Sequence, residues 1–119
     1  MKNHVNDGVT IPYTNSGSAI ASGAVVVTGH TIGVAVADIA GGATGTLYIK
    51  GRFTVPKVSG AVFAAGEKLI YDVSAGAFDD SAATPATGDI TGGVVAALAG
   101  ANGETTCDVI LTPGNATKT

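Results

Sequence analysis

The chain has 119 residues, a length that fits one domain, with 45% hydrophobic residues, 18 glycines and only 13% charged residues. Its net charge is −3 and its six Lys and Arg residues are scattered, which argues against nucleic acid as a partner. The single cysteine, Cys107, excludes an internal disulfide, and no apolar run approaches the roughly 20 residues that span a membrane. So little charge suits a surface that other proteins partly cover.

The first elements follow a polar segment at residues 1–7, which we interpret as an N-terminal arm without the apolar run of a secretory signal. Alternation of Val9, Ile11 and Tyr13 then predicts a strand. The stretch AVVVTGHTIGVAVADI, residues 24–39, indicates two β-rich runs that are interrupted at Gly29-His30. Strands therefore begin close behind the arm.

The stretch GTLYIKGRFTVPK, residues 45–57, alternates so regularly that it predicts one continuous strand. Its apolar face is formed by Leu47, Ile49, Phe53 and Val55, with Gly51 among them. The opposite face carries Tyr48, Lys50, Arg52, Thr54 and Pro56. Two interpretations of this basic face stay open: it docks on an acidic partner, or it is a solvated face whose charges prevent edge-to-edge aggregation. Lys57 lies close by in sequence.

The second half of the chain indicates further strand pairs. EKLIYDV predicts a strand, and SAGAFDD indicates a turn into a short continuation. ITGGVVAALAG and TTCDVILTP predict the last pair, joined by a turn at Asn102-Gly103, where both residues tolerate positive φ. In the last strand Cys107, Val109 and Leu111 share an apolar face, and Ile110 breaks the alternation.

These elements predict an all-β fold, either a small β-barrel or a β-sandwich. At most one short helical turn is expected, near Ser59–Ala65, where Phe63 is placed to close one end of a barrel. We expect a single β domain over residues 8–113, between the arm and a flexible C-terminal tail at residues 114–119.

Residues with catalytic or metal-binding chemistry are sparse. His4, His30 and Cys107 lack the spacing of a zinc site, and Cys107 fits a buried small apolar residue better than a nucleophile activated by His30. The carboxylates of Asp72, Asp79 and Asp80 are expected in a solvated loop. The glycines of GGATG and GDITGG fit hairpin turns, because the helix that follows a phosphate-binding loop is missing. We expect no cofactor, no metal and no enzyme activity.

The order of several blocks along the chain resembles the small capsid decoration, or cement, proteins of tailed bacteriophages. The blocks that carry the resemblance are GVAVADI through GRFTVPK at residues 33–57 and GEKLIYD at residues 66–72, within a similarity that extends from Met1 to about Pro113. They are patterns of turns and packing residues, without a catalytic signature.

The resemblance implies a structural protein, made in the host bacterial cytoplasm, that binds the outer surface of the expanded capsid. The implied partner is the major capsid protein, whose neighbouring subunits a homotrimer would hold together. Alternatives are another virion β-protein, such as a head-completion or tail component, and more remotely a small hydrolase. The residues predicted to contact the capsid or a neighbouring subunit are Met1, Lys2, Asn3, His4, Val5, Asn6, Asp7, Tyr48, Lys50 and Arg52.

Overall fold

The structure is a computed structural model and describes residues 9–119 as an all-β fold, which confirms the predicted fold class. Within this range the chain forms no helix, so no helix is long and apolar enough to cross a membrane. The strands are β1 (Thr10–Thr14), β2 (Val25–Thr28), β3 (Thr31–Ala35), β4 (Thr44–Tyr48), β5 (Arg52–Pro56), β6 (Lys68–Asp72), β7 (Ala77–Asp79), β8 (Ile90–Ala96), β9 (Thr106–Leu111) and β10 (Thr117–Lys118).

The first four strands form one antiparallel sheet in the order β1-β4-β3-β2. The predicted interruption at Gly29-His30 is the turn of the β2–β3 hairpin, where Gly29 has a φ of 59°. One face of this sheet carries a small core of its own, made of buried Val26, Ala35, Ile39 and Leu47. The sheet is therefore stabilised by local packing as well as by its contact with the rest of the chain.

The second sheet curls towards a barrel. Its strands follow the order β5-β9-β8-β6-β7, and the two outer strands meet where Lys57 and Phe78 form a parallel bridge. There the N–H of Val58 donates to the carbonyl of Phe78 at 2.9 Å. The interior is filled by apolar side chains that are almost fully buried, among them Val55, Leu69, Phe78, Ile90, Val94 and Val109.

The single strand predicted over residues 45–57 is wrong, because the stretch forms two strands in different sheets. β4 ends at Tyr48 and β5 begins at Arg52, and between them Gly51 has a φ of 119°. A side chain is strained at this φ, so glycine lets the chain leave one sheet and enter the other. The predicted alternation nevertheless holds across the break: Leu47 and Val55 are buried, whereas Tyr48 and Arg52 are exposed.

The segment near Ser59–Ala65 forms turns instead of the short helical turn that the sequence allowed. Phe63 pairs with Gly100 through backbone hydrogen bonds of 2.9 and 3.2 Å, and its ring lies over that glycine. Phe63 is only 4% exposed and belongs to the core of the barrel. Phe63, the residue expected to close an end of the barrel, is therefore buried in the barrel core at its bridge to Gly100.

The last residues also join the sheet. Thr117 and Lys118 pair with β8 beyond the end of β9, and Thr119 exchanges backbone hydrogen bonds with Gly88 at 2.6 Å and Asp89 at 2.9 Å. The segment expected to be a flexible tail thus uses the edge of β8 that β9 leaves unpaired. The division of the chain into arm, domain and tail stays a prediction.

Gly92 and Gly93, which fit a hairpin turn in GDITGG but also belong to the strand predicted from ITGGVVAALAG, lie within β8. A Cβ on Gly93 would stand 2.7 Å from the Cδ1 atom and 3.0 Å from the Cγ1 atom of Ile32, which belongs to β3 in the other sheet. Ile32 is only 3% exposed and joins the barrel core. The missing side chain at position 93 therefore lets the two sheets pack directly against each other, through the contact that we call the Ile32–Gly93 joint.

We expect Gly93→Ala to lower the free energy of unfolding by about 2 kcal/mol, because the added methyl group overpacks the joint. The change should be partly compensated in the double variant Gly93→Ala with Ile32→Val, which removes the Cδ1 atom nearest to the new methyl group. Urea unfolding of the four proteins in this cycle measures the coupling.

Gly60→Ala is the matched control, since a Cβ at Gly60 meets no atom within 4 Å and its φ is not positive. We expect it to change the free energy of unfolding by about 0.5 kcal/mol or less. If Gly93→Ala and Gly60→Ala change the free energy of unfolding equally, or if the effects of Gly93→Ala and Ile32→Val are strictly additive, the close packing at the Ile32–Gly93 joint is contradicted.

Candidate interaction surface

The predicted contact residues fall into two groups. The arm Met1–Asp7 lies outside the described residues. Tyr48, Lys50 and Arg52 lie at the crossing between the two sheets, and all three are exposed. The ring of Tyr48 packs on that of Phe53 with centroids 5.8 Å apart, so an aromatic pair bridges the end of β4 and the start of β5. The crossing presents an aromatic ring and two cations on one short length of chain.

The two cations differ in their surroundings. Arg52 Nη2 donates to Asp108 Oδ2 at 2.8 Å, and Thr54 Oγ1 donates to Asp108 Oδ1 at 2.8 Å. These hydrogen bonds hold the pKa of Asp108 below its ordinary value, the bond from Arg52 being the larger cause. Among residues 9–119 this is the single ion pair, and Lys50 takes no part in it. The charge of Arg52 is thus largely shared within the sheet, whereas that of Lys50 faces solvent.

Strand register places two exposed apolar residues beside Arg52. Ile110 is directly opposite Arg52 and is itself opposite Val95, which in turn is opposite Lys68. Ile110 is 42% exposed and Val95 is half-buried, so the outer face of the barrel carries an apolar pair between two cations. Sequence reasoning noticed that Ile110 breaks the alternation of its strand, but without the register it could not place Ile110 next to Arg52.

Lys57 is not part of the basic face. Its side chain is buried, with only 4% exposure, and Nζ donates to the carbonyls of Val58 at 2.9 Å, Ser59 at 3.3 Å and Glu104 at 3.3 Å. The ammonium group therefore links the loop after β5 to the loop before β9. A buried lysine is stable only when such acceptors surround it.

The groups considered for chemistry are not brought together into a site among residues 9–119. Burial is the main cause that raises the pKa of Cys107 to about 11, so its thiol is protonated at neutral pH. His30 lies exposed at the β2–β3 turn, on the other sheet from Cys107. Asp72 Oδ1 accepts hydrogen bonds from Ser74 Oγ at 2.6 Å, Ala75 N at 3.3 Å and Ser74 N at 3.0 Å, which lower the pKa of Asp72 within its own turn.

Neither a metal centre nor a catalytic cleft emerges from the part of the chain that the structure describes. No group of three or more His, Cys, Asp or Glu residues is arranged there to hold a metal ion. A groove of about 360 Å³ beside the Ile20–Ile39 bridge contains one carboxylate, Asp38, which accepts the N–H of Ser22 at 2.8 Å. Its lining is otherwise apolar: Ala19, Ile20, Ala21, Ile39 and Ala40. A single carboxylate bound to a backbone amide does not form an acid–base pair.

We expect Lys57→Met to lower the free energy of unfolding by about 2 kcal/mol, because the loop carbonyls lose a charged hydrogen-bond donor that methionine cannot replace. The carbonyl of Glu104 would keep no other hydrogen-bond donor from residues 9–119. Urea unfolding at neutral pH measures the change.

Lys68→Met is the control, because it makes the same change of side chain, with loss of one ammonium group, at an exposed position on β6. We expect its effect to stay within about 0.5 kcal/mol. If both variants unfold at the same urea concentration, the ammonium of Lys57 does not hold the two loops together.

Comparison with known proteins identifies the family. A family model described as phage cement protein matches residues 5–111, which include every strand except β10. No curated protein and no solved structure matches the chain significantly. The match confirms the prediction of a capsid decoration protein on the outside of the virion, in a family of structural proteins and not of enzymes. The chain belongs to the phage cement proteins.

Proposed function

We propose that this cement protein binds the major capsid protein of the expanded shell as a homotrimer and holds neighbouring capsid subunits together. The contacts are made by the arm Met1–Asp7 and by Tyr48, Lys50 and Arg52. The observation that carries this proposal is the crossing at Gly51, which exposes the ring of Tyr48 and, two residues on, the ammonium of Lys50, which has no ion-pair partner among residues 9–119. Aromatic side chains are enriched at protein interfaces, and an exposed ammonium group attracts an acidic partner.

Binding at such a site stabilises the expanded shell by mass action. A ligand that binds only the expanded shell stabilises it by RT ln(1 + [L]/Kd), about 2.7 kcal/mol per site at 100 times Kd. The low charge of the chain, 13% of its residues, suits surfaces that become covered in this way. With its net charge of −3, we infer that the protein makes no contact with packaged DNA.

Within the crossing, Lys50 and Arg52 have different roles. Arg52 already donates to Asp108, so an acidic group on the capsid would have to compete with that carboxylate. Lys50 has no ion-pair partner among residues 9–119 and is free to meet a capsid carboxylate. Lys50 therefore supplies the larger share of the electrostatic attraction.

We expect Lys50→Glu to weaken binding to expanded shells about tenfold at low salt, with a smaller difference at 0.5 M salt, because a charge reversal at an interface is screened by ions. Deletion of Met1–Asp7 is expected to weaken binding as well. Co-sedimentation with expanded and unexpanded shells of the phage that encodes the chain measures both effects.

Lys118→Glu is the charge-matched control for Lys50→Glu, because it changes the net charge equally on the exposed strand β10. It should bind as the unaltered protein does. Binding that is unchanged by Lys50→Glu and by the deletion would contradict the proposed contact residues, and absence of binding by the unaltered protein would contradict the proposed function.

We expect light scattering to give a solution mass three times that of the 11.5 kDa chain over a broad concentration range. A trimer fits discrete decoration sites, because a closed assembly buries its own interfaces and leaves one face for the shell. A protein that is monomeric in solution and trimeric only on shells would show that capsid binding is needed to assemble the trimer. Larger rings or tubes would favour a head-completion or tail component instead.

A further inference from the structure

The free edges of the two sheets differ in how they are protected against pairing with another strand. In β1 the N–H of Ile49 meets the carbonyl of Val9, so residues 10, 12 and 14 direct their backbone groups outward. Position 12 is Pro12, which removes one of these outward donors. In the barrel, β5 carries Pro56 and the charged Arg52, and its end is joined to the three-residue strand β7. Proline, charge and short strands are the usual protections of an edge.

The fourth edge, formed by β2, has none of these protections. Its sequence is Val25–Thr28, which contains no proline and no charge, and β-branched residues favour extended backbone. The residues that flank it, Ala24 and Gly29, are also uncharged. Val25 and Val27 are half-buried against the barrel core, which fixes the strand in place.

The ladder geometry shows which groups of β2 are free. Val34 is a hydrogen-bonded partner of Tyr48 on β4, because the N–H of Val36 donates to the carbonyl of Thr46 at 3.0 Å and hydrogen-bonded pairs recur every two residues. Val34 therefore directs its backbone groups away from its neighbour on the other side, Val25. By the two-residue period, the N–H and C=O groups of Val25 and Val27 point away from the sheet, and within residues 9–119 they have no hydrogen-bond partner.

Three occupants of this edge differ in their chemistry. A second copy that paired only through its own β2 would gain contacts along a four-residue strand. That contact is smaller than the roughly 1,200 Å² of surface that a stable dimer interface buries. The arm Met1–Asp7 is polar and has one β-branched residue, Val5, so it is a poor strand former. An extended segment of the capsid can pair with a short edge, because the pairing is then one part of a larger interface.

We propose that the free edge of β2 receives an extended, uncharged segment of the major capsid protein as an added antiparallel or parallel strand. This inference rests on the proposed function, and it assigns the edge as a second contact beside the crossing at Gly51. Backbone groups of Val25 and Val27 supply the hydrogen bonds, as in other cases of strand addition. The partner segment needs little side-chain specificity, since β2 offers main-chain donors and acceptors.

Amide hydrogen exchange of the unaltered protein tests the pairing. Free protein and protein bound to expanded shells are labelled, released, quenched and read residue by residue. We expect the amides of Val25 and Val27 to exchange at least about tenfold more slowly on shells. The amide of Val26, which faces Gly33 within the sheet, is the internal control and should be protected in both states.

Each other outcome overturns the proposal. Bound protein without added protection at Val25 and Val27 excludes a strand on this edge but leaves capsid binding intact. Protection that is already present in the free protein at all concentrations assigns the edge to the chain's own residues or to another copy within a stable trimer. Protection that grows with protein concentration without shells assigns it to a second copy. Failure to bind shells contradicts the proposed function itself.

Val27→Pro provides an independent test, because it removes an outward N–H without breaking a bond of the sheet, as Pro12 does in β1. We expect it to weaken binding to shells at least about tenfold. Thr14→Pro is the matched control, since the N–H of Thr14 is also directed outward, on the protected edge. It should change binding less than about twofold. Equal effects of the two proline variants, both shown to be folded by their unfolding transitions, would overturn the proposal.

Discussion

The Ile32–Gly93 joint is the contact on which the rest of the structure depends. It lets β3 of one sheet lie against β8 of the other, because position 93 has no side chain to separate them. With the sheets in contact, the barrel core and the valines of β2 share one apolar interior. The joint therefore fixes the distance between β3 and β8, and with it the packing of the first sheet on the barrel core.

Burial was predicted from the sequence better than connectivity was. Alternation along residues 45–57 identified the buried Leu47 and Val55 correctly, because a period of two survives a break that keeps the same parity. The break itself depends on the φ of 119° at Gly51, which glycine permits but does not require. Gly93 was likewise interpreted as part of a turn, because glycine is common in turns. Its role is to allow a close approach between strands that are distant in sequence.

The candidate surface was only partly predictable, because the strand register decides which charged side chains lie next to each other. Lys50 and Arg52 share a face in the sequence, but the pairing of β5 with β9 brings Asp108 to Arg52 and leaves Lys50 unpaired among the described residues. Lys57 falls on the apolar parity of its strand, yet the carbonyl of Glu104 that stabilises its ammonium belongs to a loop far along the chain. Long-range partners of this kind follow from topology, which short patterns do not encode.

An unprotected edge is a hazard for a protein that must remain dispersed before it reaches a shell, since free strands pair with one another. β2 limits the hazard by its length of four residues and by burying Val25 and Val27 partly against the barrel. The other edges are protected by Pro12, Pro56 and the Lys57–Phe78 bridge. Proline at an outward-facing position of β2 would not break the sheet's own hydrogen bonds, so the fold did not require this edge to stay open. A four-residue strand is too short to hold two copies together by itself, but it can contribute hydrogen bonds where it forms one part of a larger interface.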